Sequence, residues 1–228
     1  MNVTKNIFLL SVLTVLCTQA SLTWGGSIPI EYQVAISKAL PGYEILRNED
    51  FVQDESQIKN FLSPDEISKR KKREFLGFIV GRFNNDRFPD FAALVVNRSI
   101  EQERLGMTKS ENWKGTFASR LVVCLGTSTP REYRCEVLST LYGDFIDLPF
   151  WVDLDVSKIG GEIPCGNHDE PIGAFYPEGW KGKRPDEVSA RKLRSNYDAI
   201  GEYAIGNNAG LTLFRGADGI YLNCAYVD

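Results

Sequence analysis

Two apolar runs, Phe75–Val80 and Phe91–Val96, flank the stretch Gly81-Arg82-Phe83-Asn84-Asn85-Asp86-Arg87-Phe88-Pro89-Asp90. The stretch sets Asn84, Asp86 and Asp90 at alternate positions. Apolar runs this short and rich in β-branched and aromatic residues read as strands. Asn and Asp side chains bond nearby backbone amides and so favour tight turns. The stretch therefore reads as a turn that clips two neighbouring strands, with its oxygens gathered around a cation or around something that stands in for one.

The rest of the chain follows the same strand logic. Arg120–Leu125 and Tyr133–Thr140 form a second pair across Gly126-Thr127-Ser128-Thr129-Pro130. Gly210–Phe214 and Gly219–Tyr226 form a terminal hairpin, with Gly219 at the flexible position of its turn. Alternation there turns Ile220, Leu222, Cys224 and Tyr226 to one inward face. Helices are expected around Tyr32–Leu40, over Asp54–Leu62 with Ile58, Phe61 and Leu62 on one face, and over Asp186–Asn196. A further helix starts at Ser63, where Pro64 and Glu66 complete a capping box. It runs into Lys69–Arg73, five basic residues that read as a solvated helix end offsetting the helix dipole; the alternative is an anionic partner. The expected fold is α+β: a single domain, mostly antiparallel β-sheet with a few short helices.

The first residues read as an export signal. Lys5 is followed by an apolar run from Ile7 to Leu16, and Thr18-Gln19-Ala20 supplies small residues for cleavage. Cleavage after residue 20, or as late as 26, leaves 21–228 as the exported domain. The apolar run is too short for a helix to cross a hydrocarbon core of about 30 Å. Lipidation at Cys17 is a weaker alternative, because Leu16 precedes it. With 26 basic and 30 acidic residues, the net charge is −4. That balance disfavours nucleic acid, whose binding needs concentrated positive charge. Localisation is expected to be periplasmic or secreted. Four cysteines remain beyond the leader: Cys124, Cys135, Cys165 and Cys224. An even number in an exported chain points to disulfides. Cys124–Cys135 joins the two strands of the second pair, which leaves Cys165–Cys224; four buried thiols are the alternative.

Gly81–Ala93 resembles the turn of FG-GAP, or integrin-type, repeats. The chain as a whole resembles a group of small exported bacterial proteins of unknown function that carry one such turn. Leu40-Pro41-Gly42-Tyr43 and the terminal hairpin Gly219–Asp228 share in the likeness. The resemblance implies calcium held by Asn84, Asp86, the Phe88 carbonyl and Asp90. The chain departs from the pattern where Arg82 replaces the first acid and Arg87 the flexible glycine. Calcium prefers six to eight oxygens, so a second outcome is open: the Arg82 guanidinium pairs with Asp86 or Asp90 and no metal is needed.

Signals for catalysis are sparse. The single histidine, His168, lies in Cys165-Gly166-Asn167-His168-Asp169-Glu170, and no nucleophile elbow or phosphate loop accompanies it. Asp144, Asp147, Asp153 and Asp155 surround Phe150 and Trp151, an arrangement that glycoside hydrolysis would use. The plainer reading puts Asp153 and Asp155 on the polar face of a strand whose inward residues are Val152, Leu154 and Val156. The expectation is a non-enzymatic exported binding or interaction protein that meets another protein or an envelope component and needs no cofactor. The alternatives are a calcium-binding adhesion-like module, and a hydrolase built on the acids near Trp151.

Overall fold

In a computed structural model, the described residues are 27–102, 116–140, 145–146, 150–157, 173–182, 197–205, 209–216 and 218–227. The fold is α+β, with two antiparallel sheets and, among the described residues, three short helices. In chain order the elements are α1 (Ile30–Ala39), β1 (Glu44–Ile45), a 3₁₀ turn (Asn48–Asp50), α2 (Glu55–Ile58), α3 (Pro64–Lys71), β2 (Phe78–Gly81), β3 (Asp90–Gln102), β4 (Thr116–Gly126), β5 (Tyr133–Leu138) and β6 (Phe145–Ile146). The second half contributes β7 (Val152–Ser157), β8 (Gly173–Phe175), β9 (Ala199–Ala204), β10 (Ala209–Arg215) and β11 (Tyr221–Val227).

The first sheet has four lanes. β1 and β2 share one side of β3; β4 lies on the other side and carries β5 and β6 beyond it. The second sheet runs β7-β9-β10-β11-β8. Phe91 to Val96 are all fully buried. Both faces of β3 must therefore be covered, which explains why its sequence is continuously apolar rather than alternating. Its even positions, Ala92, Leu94 and Val96, join Leu121 and Val123 in a core shared with Val152, Leu154, Ile200, Leu213 and Tyr221 of the second sheet. Its odd positions, Phe91, Ala93 and Val95, pack with Phe78 and Cys124 under Ala35 and Ile36 of α1. Each large side chain removed from water in these layers contributes roughly 1.5–3 kcal/mol. The order of layers is helix, sheet, sheet.

α3 starts as its sequence dictates. Ser63 caps it, Pro64 follows, and the Glu66 carboxylate accepts the Ser63 amide at 2.7 Å. α2 is a single turn, capped by Asp54, whose side chain accepts the Ser56 amide at 2.8 Å. Ile58 and Leu62 are buried beside Val52 and Ile205. Phe61 is 42% exposed and meets Trp151 edge-on. The expected single face of Ile58, Phe61 and Leu62 is thus divided, because the helix stops before Phe61.

The strand that leads into the polar turn, β2, begins at Phe78, later than the expected Phe75. Leu76 donates its amide to Asn48 Oδ1 and accepts from Leu154, which spends its hydrogen bonds on other segments. β3 bulges between Asn97 and Glu101, where buried Asn97 accepts the Ser99 amide at 3.0 Å. In the terminal hairpin, Gly219 takes a φ of 86° as the turn requires. The inward position there belongs to Tyr221, which stands in the core between the sheets, so the register is one residue off the expected Ile220/Leu222 face. Leu222 and Ile220 are buried nonetheless.

The basic run is a solvated end only at Lys69, Lys71 and Lys72, which are exposed; its two arginines are engaged. Arg70 is buried and its guanidinium grips Asp153 of β7 at 2.6 and 3.1 Å, with a third bond to the Val52 carbonyl at 2.8 Å. Arg73 donates to the Asp155 carboxylate at 2.7 Å and to the Leu154 carbonyl at 3.1 Å. Arg73 lies just past the end of α3, where a turn closed by its amide donating to the Arg70 carbonyl at 3.1 Å keeps it beside Arg70, and residues two apart on a strand share a face. The Arg70/Arg73 face therefore meets the Asp153/Asp155 face as two rungs of one ladder. Val152 and Leu154 point inward as expected, yet Asp153 is enclosed and not solvated. Burial pushes its carboxyl up, and Arg70 and Arg73 pull it back down.

Cys124 and Cys135 stand directly opposite in the β4–β5 register and form a disulfide. Cys165 lies outside the described residues. For Cys224 only the backbone is described, paired with Thr212. The expected helix over Asp186–Asn196 also lies outside them.

Two measurements follow. Arg70→Met or Asp153→Leu alone is expected to cost about 3–5 kcal/mol in urea unfolding, since each strands a buried charge. The double variant should lose clearly less than the sum. Reduction of the Cys124–Cys135 bridge should lower stability by about 2–3 kcal/mol; an unchanged melt in reductant would refute the bridge.

Candidate functional site

The polar turn links β2 to β3 and brings Asn84, Asp86 and Asp90 together. The Asp86 amide donates to Asn84 Oδ1 at 3.0 Å, and Asn84 Nδ2 donates to Asp86 Oδ2 at 2.9 Å. The Phe88 amide donates to Asp86 Oδ1 at 2.8 Å. These are the short-range bonds that let Asn and Asp build a turn from their own side chains. Asp90 is fully enclosed and reaches further. Its Oδ2 accepts the Phe83 amide at 2.7 Å, and its Oδ1 accepts the Gly126 amide at 2.9 Å. One carboxylate thereby joins the β2–β3 turn to the end of β4. The approach is close: a Cβ on Gly126 would meet the Pro89 carbonyl oxygen at 2.4 Å. Only glycine fits there.

Arg82 does not pair with either carboxylate. Its guanidinium donates to the Asp86 main-chain carbonyl at 2.9 Å, and its amide donates to Asp198 Oδ2 at 3.0 Å. Arg82 thus closes the loop through backbone and ties it to the segment entering β9. The donor set is a poor match for calcium as it stands. Each of the Asn84, Asp86 and Asp90 side-chain oxygens already accepts an N–H group, so an ion would have to share them, and only Asp86 and Asp90 supply charge. Among the described residues no group of three or more His, Cys, Asp or Glu is placed to hold a metal.

Burial raises the Asp90 carboxyl above its ordinary 3.8; the Gly126 and Phe83 amides oppose the rise, and the Asp86 charge adds to it.

The sites proposed for catalysis divide between described and undescribed residues. His168, Asp144 and Asp147 lie outside the described residues. Asp153 and Asp155 are engaged by Arg70 and Arg73. The signal that sequence reasoning missed is the complementarity of two pairs: two arginines at the end of α3 and two aspartates at strand spacing. A second unforeseen network joins the sheets. Arg215 of β10 binds Glu136 of β5 through two parallel bonds of 2.9 and 2.8 Å, and the Tyr221 hydroxyl donates to the same carboxylate at 2.5 Å. Burial, then the Glu136 charge, raises the Tyr221 phenol well above its ordinary value, so it stays a proton donor.

Beside the helix–strand ladder opens a cleft of about 710 Å³, within the roughly 300–1,000 Å³ typical of small-molecule sites. Its apolar part is Ile58, Ile67 and Leu76, and Arg70 to Arg73 line it consecutively. Arg70 is spent on Asp153, whereas Lys71 and Lys72 are exposed. A smaller cleft of about 390 Å³ lies between α1 and β1 over Ile36, Ile45 and Phe75. Its charged rim is self-paired, Glu44 with Arg47 and Arg98.

The Asp90 carboxyl has a testable pH signature. A folded-state value above the unfolded one means that the native state takes up the proton first, so this group's stabilising contribution is complete below 3.8 and declines as pH rises through the native value. Asp90→Asn is expected to remove that slope. It should also cost about 1–3 kcal/mol at neutral pH, because one of the two amides loses its acceptor. Urea unfolding across acid to neutral pH reads both effects.

Comparison of the chain with protein-family models, with curated proteins and with solved structures finds no match.

Proposed function

We propose that this chain is an exported, non-enzymatic binding protein whose partner is another protein or a component of the cell envelope. The observation that carries the reading is the fate of the Asp153/Asp155 pair. These are the described members of the acidic group that hydrolysis would have used, and they are bound to Arg70 and Arg73, while an open cleft lined by charged and apolar side chains lies beside them. Asp153, locked in a bidentate pair with Arg70, is ill-suited to passing protons, and Asp155 is held by Arg73 through one bond, whereas a cleft of mixed character suits recognition. The Cys124–Cys135 disulfide supports an oxidising compartment. No helix among the described residues is long and apolar enough to cross a membrane.

The likeness of the turn to FG-GAP repeats supports an extracytoplasmic setting. Its side-chain oxygens, each already accepting an N–H from the turn or from Gly126, favour a structural part for the turn over the calcium-dependent alternative. The test is capture from envelope extract with residues 21–228 as bait, run with calcium and with chelator. The expected result is a specific partner retained in chelator. Capture that requires calcium, together with a calcium-raised melting temperature, would replace this reading with the adhesion-like one. Hydrolysis of envelope glycans that is lost in Asp155→Asn would replace it with the enzymatic one.

A further inference from the structure

We propose that the basic run Lys69–Arg73 is a processing site for a trypsin-like endoprotease, opened when α3 lifts from the second sheet while both sheets stay folded. The proposal goes beyond the binding-protein reading and does not depend on it. Three observations carry it.

The first is how α3 is held. A surface helix usually docks through an apolar stripe. Arg70 is the only buried residue of α3, and Ile67 is only partly buried, against the small cluster of Val52, Ile58, Leu62 and Ile205. The grip on β7 is polar: Arg70 holds Asp153 and Arg73 holds Asp155. When both ions of such a pair are released together, each recovers the water that burial took from it. Parting the apolar layers between the sheets recovers nothing of the kind. α3 therefore opens at a lower free energy than the whole fold.

The second is what the run offers. A trypsin-like protease takes a basic side chain into its specificity pocket and needs the neighbouring backbone extended. Lys69, Lys71 and Lys72 are exposed, and five consecutive basic residues present a cleavable bond in every register. Closed, the run denies the extension. Lys69 to Lys71 are helical, and the Lys72 and Arg73 amides donate to the Lys69 and Arg70 carbonyls, each at 3.1 Å. Lifting α3 supplies it.

The third is what a cut leaves behind. Hydrolysis adds one water across one peptide bond, giving a carboxylate on the basic residue and an amine on the residue after it. The run stands between α3 and β2, so β1 keeps its pairing with β3, and the Val52 amide still donates to the Phe150 carbonyl. Residues 21–73 contain no cysteine, so no disulfide joins the two parts. The product is a two-chain molecule held by pairing and packing alone.

The test is brief trypsin digestion of the 21–228 protein across low urea, with each cut bond quantified by mass spectrometry. Cutting within Lys69–Arg73 is expected to change little with urea below the unfolding transition. Cutting at Arg120–Leu121, on β4 between β3 and β5, should rise along the slope of global unfolding. A synthetic 63–77 peptide should be cut at least about a hundredfold faster than the folded run. Asp155→Asn keeps an acceptor for the Val156 amide and loosens Arg73; it should speed cutting of the run about two- to fivefold. Ile200→Val, in the core between the sheets, should speed cutting at Arg120–Leu121 about two- to tenfold and leave the run unchanged. One urea slope for both bonds, peptide-like cutting of the folded run, no response to Asp155→Asn, or equal responses of the two bonds to Ile200→Val would each overturn the proposal.

Discussion

The absence of water from both faces of β3 is the constraint on which the rest of the architecture depends. Phe91 to Val96 cannot face solvent on either side, so the sheet acquires α1 above and a second sheet below. The two ends of this run are marked by buried polar residues, Asp90 and Asn97. Each accepts backbone amides, Asp90 those of buried Phe83 and of Gly126, Asn97 that of Ser99. A buried amide left without a partner costs about as much as several buried methylenes gain. The polar turn is therefore best understood as the terminus of a doubly buried strand.

Where the layers meet, the protein uses guanidinium–carboxylate pairs. Arg70–Asp153 joins a helix to the second sheet, Arg215–Glu136 joins the two sheets, and Arg98–Asp50 joins β3 to the 3₁₀ turn. In the first two, two parallel bonds fix direction as well as distance, and Arg98 divides its fork between Asp50 and Glu44. Apolar packing tolerates small slides between layers, whereas a bidentate pair does not. The apolar layers supply most of the free energy, and the arginines set the alignment.

Much of this was legible in the residues. The Ser63-Pro64-Asp65-Glu66 start, the β4–β5 pairing that sets Cys124 against Cys135, and the terminal hairpin turning at Gly219 are all local, and local rules read them. The polar turn was legible as a turn, but its wiring was not. Arg82 was expected to meet a carboxylate and instead meets a carbonyl, because nothing in the sequence says that Asp90 is already taken by Gly126, thirty-six positions away. The Arg70–Asp153 pair spans 83 positions. Its two halves were visible as a basic run and an acidic cluster, each of which invited its own partner. Only the stacking of one sheet on the other brings them together. Tyr221 illustrates the same limit: alternation identified a two-faced strand, but with Ile220 and Leu222 buried as well, the pattern alone did not say which face looks inward.

The division of the chain between the sheets affects how the molecule is made. β1 to β6 all precede residue 147, and β7 to β11 all follow it. A chain emerging from its N-terminus can complete the first sheet while Leu94, Leu121 and Val123 still lack the wall that will cover them. Such an intermediate presents a broad sticky surface, the state from which chains of this size aggregate. A translocation route that delivers the polypeptide unfolded, and lets both halves condense together, would spare it that exposure.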